Sequence, residues 1–184
     1  VTKKAVQVEL REHVPGLPES KLSIHLGQGL SRGERMDWAI QKATELGVAQ
    51  ITPLFTERCE VRLNDERAQK RLEHWQQIAI SACEQCGRSK VPVIHAPQLL
   101  KDWQASVQAD LKLVLHPVAQ SLTQYATPHT LAFLIGPEGG LTEGEVAQAA
   151  EYGFQPARLG PRVLRTETAP VVALSVAQQM WGDF

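Results

Sequence analysis

Charge of one sign is missing from this 184-residue chain: 19 Lys and Arg stand against 20 Asp and Glu, a formal net charge of −1. No global basic field is therefore present to recruit naked nucleic acid, although a local basic face remains open. No apolar run reaches the length that spans a bilayer, so no membrane partner is expected. Cysteine is scarce; three residues form no disulfide framework, and the composition points to a reducing cytoplasm. Repeats and low-complexity tracts are absent. What is present, 43% hydrophobic and 21% charged residues, suits an ordinary globular protein with one substantial core. The chain opens on Val1 rather than Met, and its first residues alternate like a strand with no partner in sight. The amino-terminal part of a longer protein is therefore expected to be missing.

Hydrophobic spacing divides the chain into alternating elements. Residues 5–10 alternate as a half-buried strand, and 15–18, with two prolines and a glycine, mark a candidate boundary. Strands are predicted over 22–26, 49–55, 91–95, 111–115, 130–135 and 156–159. Helices are predicted between them. One opens with capping-box spacing at Ser31–Glu34, buries Met36, Ala39, Ile40 and Ala43, and stops at Gly47. A long one capped by Asp65 carries Leu72, Trp75, Ala79, Ala82, Cys83 and Cys86 on one face and ends at Gly87. Others cover 99–107, the stretch from Thr142 to Gly153, and 167–180. Such alternation predicts a mostly parallel α/β sheet with helices on both faces.

Three predicted strands in the carboxyl half end in loops suited to a ligand: Leu115-His116-Pro117, Gly136-Pro137-Glu138-Gly139-Gly140, and the run from Leu159 to Arg165. Ligands of open α/β sheets bind outside the carboxyl ends of strands, and glycine lets a ligand approach the backbone. The middle loop is too short for a phosphate-binding P-loop, lacks its lysine, and is not G-x-G-x-x-G. A nucleotide pyrophosphate is thus not the expected ligand. Thr166 or Thr168 can cap the last helix, and Glu167 suits its positive end.

Residues 135–140 (Ile-Gly-Pro-Glu-Gly-Gly) followed by 159–169 (Leu-Gly-Pro-Arg-Val-Leu-Arg-Thr-Glu-Thr-Ala) closely resemble the bacterial 16S ribosomal RNA uridine-N3 methyltransferases, the RsmE family. Residues 41–48, 51–55, 58–59 and 84–88 resemble the same family, so the likeness covers roughly 20–182. It implies a SPOUT-class fold with a carboxyl-terminal trefoil knot, S-adenosylmethionine bound by the knot loops, a homodimer, and 16S rRNA within the small ribosomal subunit as partner. It also implies an amino-terminal β-barrel domain of the RNA-binding PUA type, of which only a remnant over residues 1–16 is expected here. Residues 17–184 are then the methyltransferase domain.

On that resemblance, Leu115, Ile135, Leu159, Val163 and Leu164 wall the cofactor. Gly136, Gly139, Gly140 and Gly160 bring backbone close, and the chain to Thr166 offers N–H and C=O groups to an adenine edge. Methylating uracil N3 requires alignment of the nitrogen, removal of its proton and stabilisation of the anion. Arg165 and Arg88 are the candidate cationic groups and Glu138 the candidate carboxylate, with a loop-bracing role weighed against it. Glu84 and Glu167 are further possible bases. Arg32, Arg35, Lys42, Arg58, Arg62, Arg67, Lys70, Arg71, Arg88 and Lys90 form a local basic cluster that a solvated helix face also explains. Cys83 and Cys86 form a lone C-x-x-C on an apolar helix face and read as structural thiols; no metal is expected. The rival functions are a SPOUT enzyme for another position, such as a ribose 2′-hydroxyl, and a non-catalytic RNA-binding or ribosome-assembly module.

Overall fold

The apolar runs line up side by side in the computed structural model, which describes residues 8, 9, 11, 12, 14 and 16–184. The elements are β1 (Ser23–Gly29), α1 (Glu34–Glu45), β2 (Gln50–Phe55), α2 (Asp65–Cys86), β3 (Val93–Ile94), β4 (Gln98–Leu99), α3 (Leu100–Ser106), β5 (Leu111–Ser121), β6 (Thr130–Ile135), α4 (Glu143–Glu151), β7 (Gln155–Arg158) and α5 (Thr168–Trp181). The sheet runs β3-β2-β1-β6-β5-β7, with β4 also on β2, and every pairing is parallel. Successive residues of a strand face opposite sides. Leu131 and Phe133 of β6 thus pack in a cluster with Met36 and Ile40 of α1, Trp75 of α2 and Leu174 of α5. Ala132 and Leu134 pack in another with Trp103 of α3 and Ala149 of α4. Burial on both faces is why 130–135 carries no polar alternation.

The strand expected over 5–10 and the domain remnant over 1–16 lie largely outside the described residues; of the boundary expected at 15–18, residues 16–18 are described and belong to no helix or strand. Elsewhere the differences have local causes. The capping box expected at Ser31 does not form. Gly33 caps α1 with φ 59° and no side-chain bond, because the Ser31 hydroxyl is turned to the Gly29 carbonyl and Thr166. Asn64, not Asp65, caps α2, its side chain accepting the Arg67 N–H. The Thr142–Glu145 capping box is complete. β5 does not stop at Leu115 but continues to Ser121. It does so across a register shift, Leu115 and Gln120 both standing opposite Ala157.

At the amino-terminal end of the sheet, His25 stacks on His95 with ring centroids 5.4 Å apart and meets Trp103 edge-on. Its Nε2 lies 2.8 Å from Thr52 Oγ1 and 3.3 Å from Trp103 Nε1. An indole N–H only donates, so this nitrogen is held as an unprotonated acceptor. Burial and the neighbouring His95 lower the His25 pKa to about 4.

Candidate cofactor-binding site

The carboxyl ends of β5, β6 and β7 deliver the three loops to one place. Leu115 and His116, the Ile135–Gly140 turn and the 159–167 segment together line a cavity of about 610 Å³. Its walls are aliphatic, from Leu115, Ile135, Leu141, Leu159 and Leu164, with Val163 standing 83% exposed. Gly136 and Gly160 also line it. A Cβ on Gly136 would lie 3.0 Å from both the Gly140 carbonyl carbon and the Leu141 nitrogen, so the turn closes on itself only without a side chain there. Gly140 has φ 70°, a left-handed conformation that glycine adopts readily, and its N–H donates to the Pro137 carbonyl at 2.9 Å. Gly139 is outside the lining: it backs onto Arg58, whose guanidinium donates to its carbonyl at 3.2 Å.

A buried hydroxyl joins two of the loops. Thr166 does not cap α5; its Oγ1 donates to the Gly136 carbonyl at 2.8 Å and accepts from Gln28 Nε2 at 3.0 Å, with Ser31 Oγ 3.2 Å away. Glu167 takes the cap position without a side-chain bond. Thr166→Val removes this link while keeping the shape, leaving the Gly136 carbonyl and the Gln28 amide short of a partner. The expected result is a loss of about 1–3 kcal/mol in stability and weaker cofactor binding, read by denaturant unfolding and calorimetry. Unchanged values for both would show the link to be incidental.

Four arginines (Arg35, Arg158, Arg162 and Arg165) and two carboxylates (Glu138 and Glu167) edge the cavity. Glu138 Oε1 accepts the Arg32 N–H and Arg35 Nη1, each at 2.9 Å. Partial burial by itself would raise its pKa; the Arg32 and Glu138 backbone N–H groups and the Arg35 guanidinium outweigh that and hold it below the ordinary carboxylate range. Its bonds tie the glycine turn to the start of α1. Arg88 is elsewhere: it does not line the cavity but donates to the Thr44 carbonyl in the last turn of α1 and the Val48 carbonyl just past it, and pairs with Glu19, its side chain 9% exposed. Arg32 pairs with Glu60, Lys42 with Glu45 and Lys70 with Glu66, so part of the basic cluster is a neutralised surface. Cys83 is buried and Cys86 half-buried, and burial raises the Cys83 thiol pKa. Among the described residues no group of three or more His, Cys, Asp or Glu is placed to hold a metal, and no helix is long and apolar enough to cross a membrane.

Sequence reasoning missed Gln28 and Ser31, whose roles arise from contacts 138 and 135 residues away along the chain. It named Arg35 only as part of a basic cluster. It passed over Arg158 and Arg162, which their places at the end of β7 and in its loop could have flagged.

A parallel sheet with an apolar, glycine-backed cavity at three adjacent strand ends, rimmed by arginines, suits a cofactor with both apolar and charged parts. The model of the RNA methyltransferase domain family matches residues 18–178. The ribosomal RNA small subunit methyltransferase E of Buchnera aphidicola (from Acyrthosiphon pisum) is 40% identical over 188 residues, covering 100% of this chain and 74% of that protein. A crystal structure of a ribosomal RNA small subunit methyltransferase E from Neisseria gonorrhoeae, bound to S-adenosyl methionine, has 45% identity and a TM-score of 0.86, covering 91% of this chain and 70% of that one. A Legionella pneumophila protein in complex with bound S-adenosylmethionine has 48% identity and a TM-score of 0.88, covering 90% of this chain and 69% of that one. The chain belongs to the ribosomal RNA small subunit methyltransferase E family.

Proposed function

We propose that the protein transfers the methyl group of S-adenosylmethionine to N3 of a uridine in 16S ribosomal RNA, with the assembled small subunit as substrate. The observation that carries this is the single cavity built from the β5, β6 and β7 ends in a chain of this family. Its residues fit the cofactor. The aliphatic walls suit an adenine ring, and the backbone of 159–166 can offer its edge N–H and C=O groups. Gly136 and Gly140 allow close approach, and Gly139 steadies the turn through Arg58. Bound there, S-adenosylmethionine supplies an electrophilic methyl on a cationic sulfur.

The chain's own groups must then orient the uracil, accept the imide proton and stabilise the charge spreading to its oxygens. Arg165, at the cavity rim, is assigned the last task. Arg88, committed to backbone carbonyls at the end of α1, is assigned a structural one, and Glu138 the bracing of the loop.

The reading includes a trefoil knot and a homodimer. Supporting the first, the 159–167 segment leaves β7 and returns to the Gly136 carbonyl, and α5 then packs on α1 and β6. Supporting the second, Val163 stands exposed at the cavity rim. It also includes the PUA-like remnant over 1–16 and a cytoplasmic location. The test is to incubate the full-length protein with labelled cofactor and immature small subunits and to map the methyl group by mass spectrometry of the nucleosides. A label on uracil N3 is expected. A ribose 2′-O label would overturn the position, and absence of cofactor binding by the protein would favour the non-catalytic module.

A further inference from the structure

Of the two carboxylates at the cavity, one is chemically spent and the other is not. Glu138 is engaged by the Arg32 N–H and the Arg35 guanidinium. Glu167 differs. Its Oε1 lies 3.8 Å from Arg35 Nε, an ion pair beyond hydrogen-bond length, and its Oε2 is sealed from water with no hydrogen-bond partner. Neither oxygen of this carboxylate is held by a hydrogen bond, whereas Glu138 Oε1 accepts two. The side chain is only 19% exposed and lines the cavity. Its backbone is fixed on both sides: Thr166 is bonded to the Gly136 carbonyl, and Thr168 begins α5. The carboxylate is therefore held at the cavity edge before anything enters, with Oε1, the oxygen that is not sealed, open to a donor.

We infer that Glu167 is the catalytic base, its Oε1 taking the N3 proton of the target uracil. The inference rests on the functional reading above and deepens it. In the step, the N3–H bond breaks and the proton moves to Glu167 Oε1. The N3 electron pair forms the bond to the methyl carbon, and the carbon–sulfur pair stays on sulfur, leaving a neutral thioether. Nothing beyond cofactor and uridine is consumed. Arg35, between the two carboxylates, is a positioning residue: it holds Glu138 in the turn and keeps Glu167 oriented from 3.8 Å without a hydrogen bond to Oε1. The rim arginines are left to neutralise the imide anion.

The experiment compares wild type with Glu167→Gln and Glu167→Asp in the full-length protein. It measures calorimetric binding of S-adenosylmethionine and S-adenosylhomocysteine, and kcat on small subunits across a pH range. Glu167→Gln is expected to bind both cofactor forms within about threefold of wild type while kcat falls by about 100-fold or more, the range attributed to a positioned proton acceptor. The deficit is expected to shrink as pH rises and the uracil imide ionises unaided, and Glu167→Asp should restore part of the rate. Cofactor binding that weakens tenfold or more with kcat preserved at saturation would make Glu167 a cofactor ligand and overturn the assignment. An unchanged kcat, or a deficit that stays constant with pH, would overturn it too. If wild type in the same assay methylates an atom other than N3, the functional reading falls and the base assignment with it. If wild type methylates N3 and Glu167→Gln matches it, only the base assignment falls.

Discussion

Gly29→Ala is expected to weaken S-adenosylmethionine binding by about 100-fold or more. The new Cβ would stand 2.5 Å from the Pro137 nitrogen, 2.6 Å from its Cδ and 2.8 Å from the Gly136 carbonyl carbon. Two of those atoms belong to backbone, so no rotamer change relieves the overlap. Strand β1 cannot withdraw, because it is paired with β2 on one side and β6 on the other. The glycine turn must move instead, and with it the floor of the cavity. A 100-fold loss corresponds to about 3 kcal/mol. Calorimetry measures it directly, and binding within threefold of wild type would refute the account. Gly144→Ala in α4 is the matched control. Its Cβ would meet only Thr142 Oγ1, at 3.8 Å, and alanine favours a helix, so cofactor affinity should hold.

Acid is expected to destabilise the protein well before its carboxylates titrate. Unfolded histidine takes a proton near pH 6.5, whereas His25 in the fold resists until about pH 4. Stability from this group is complete above pH 6.5, is lost progressively as pH falls toward 4, and levels off below. The full difference is roughly 3 kcal/mol. His95, lowered by partial burial, adds in the same direction. Urea unfolding from pH 7.5 to 4 should show the decline, and His25→Gln should flatten most of it. A wild-type curve already flat in that window would rule the argument out. The cluster sits near the start of the strands, with His25 opposite Gln50, the first residue of β2, while the cavity is at their carboxyl ends.

How far the sequence could be read follows from the range of the forces involved. The β6 limits and the Thr142 capping box were legible because they depend on neighbours a few residues apart. The glycine turn and the 159–165 run were legible as loops at strand ends, and the cavity does join them with Leu115. What escaped depends on partners distant along the chain. Ser31 and Thr166 both have the composition of helix caps, yet each spends its hydroxyl on a contact that only the folded sheet creates. Arg88 has the composition of an active-site cation, yet its guanidinium holds the end of α1. The continuation of β5 past Leu115 was hidden because a proline in the sequence normally ends a strand, and the register shift against Ala157 exists only in the folded sheet.

The bond from Thr166 to the Gly136 carbonyl has a thermodynamic consequence. Segments 30 residues apart in the chain form opposite walls of one pocket, and the helix that follows is tied to α1 by Gln178, whose Nε2 donates to the Leu46 carbonyl at 3.0 Å. Any opening that lifts α5 away also dismantles the pocket. A ligand seated there acts as a fastener. By mass action, free ligand at 100 times its dissociation constant adds about 2.7 kcal/mol against such openings. Amide hydrogen exchange across the α5 backbone therefore becomes slower as the cellular supply of methyl donor rises.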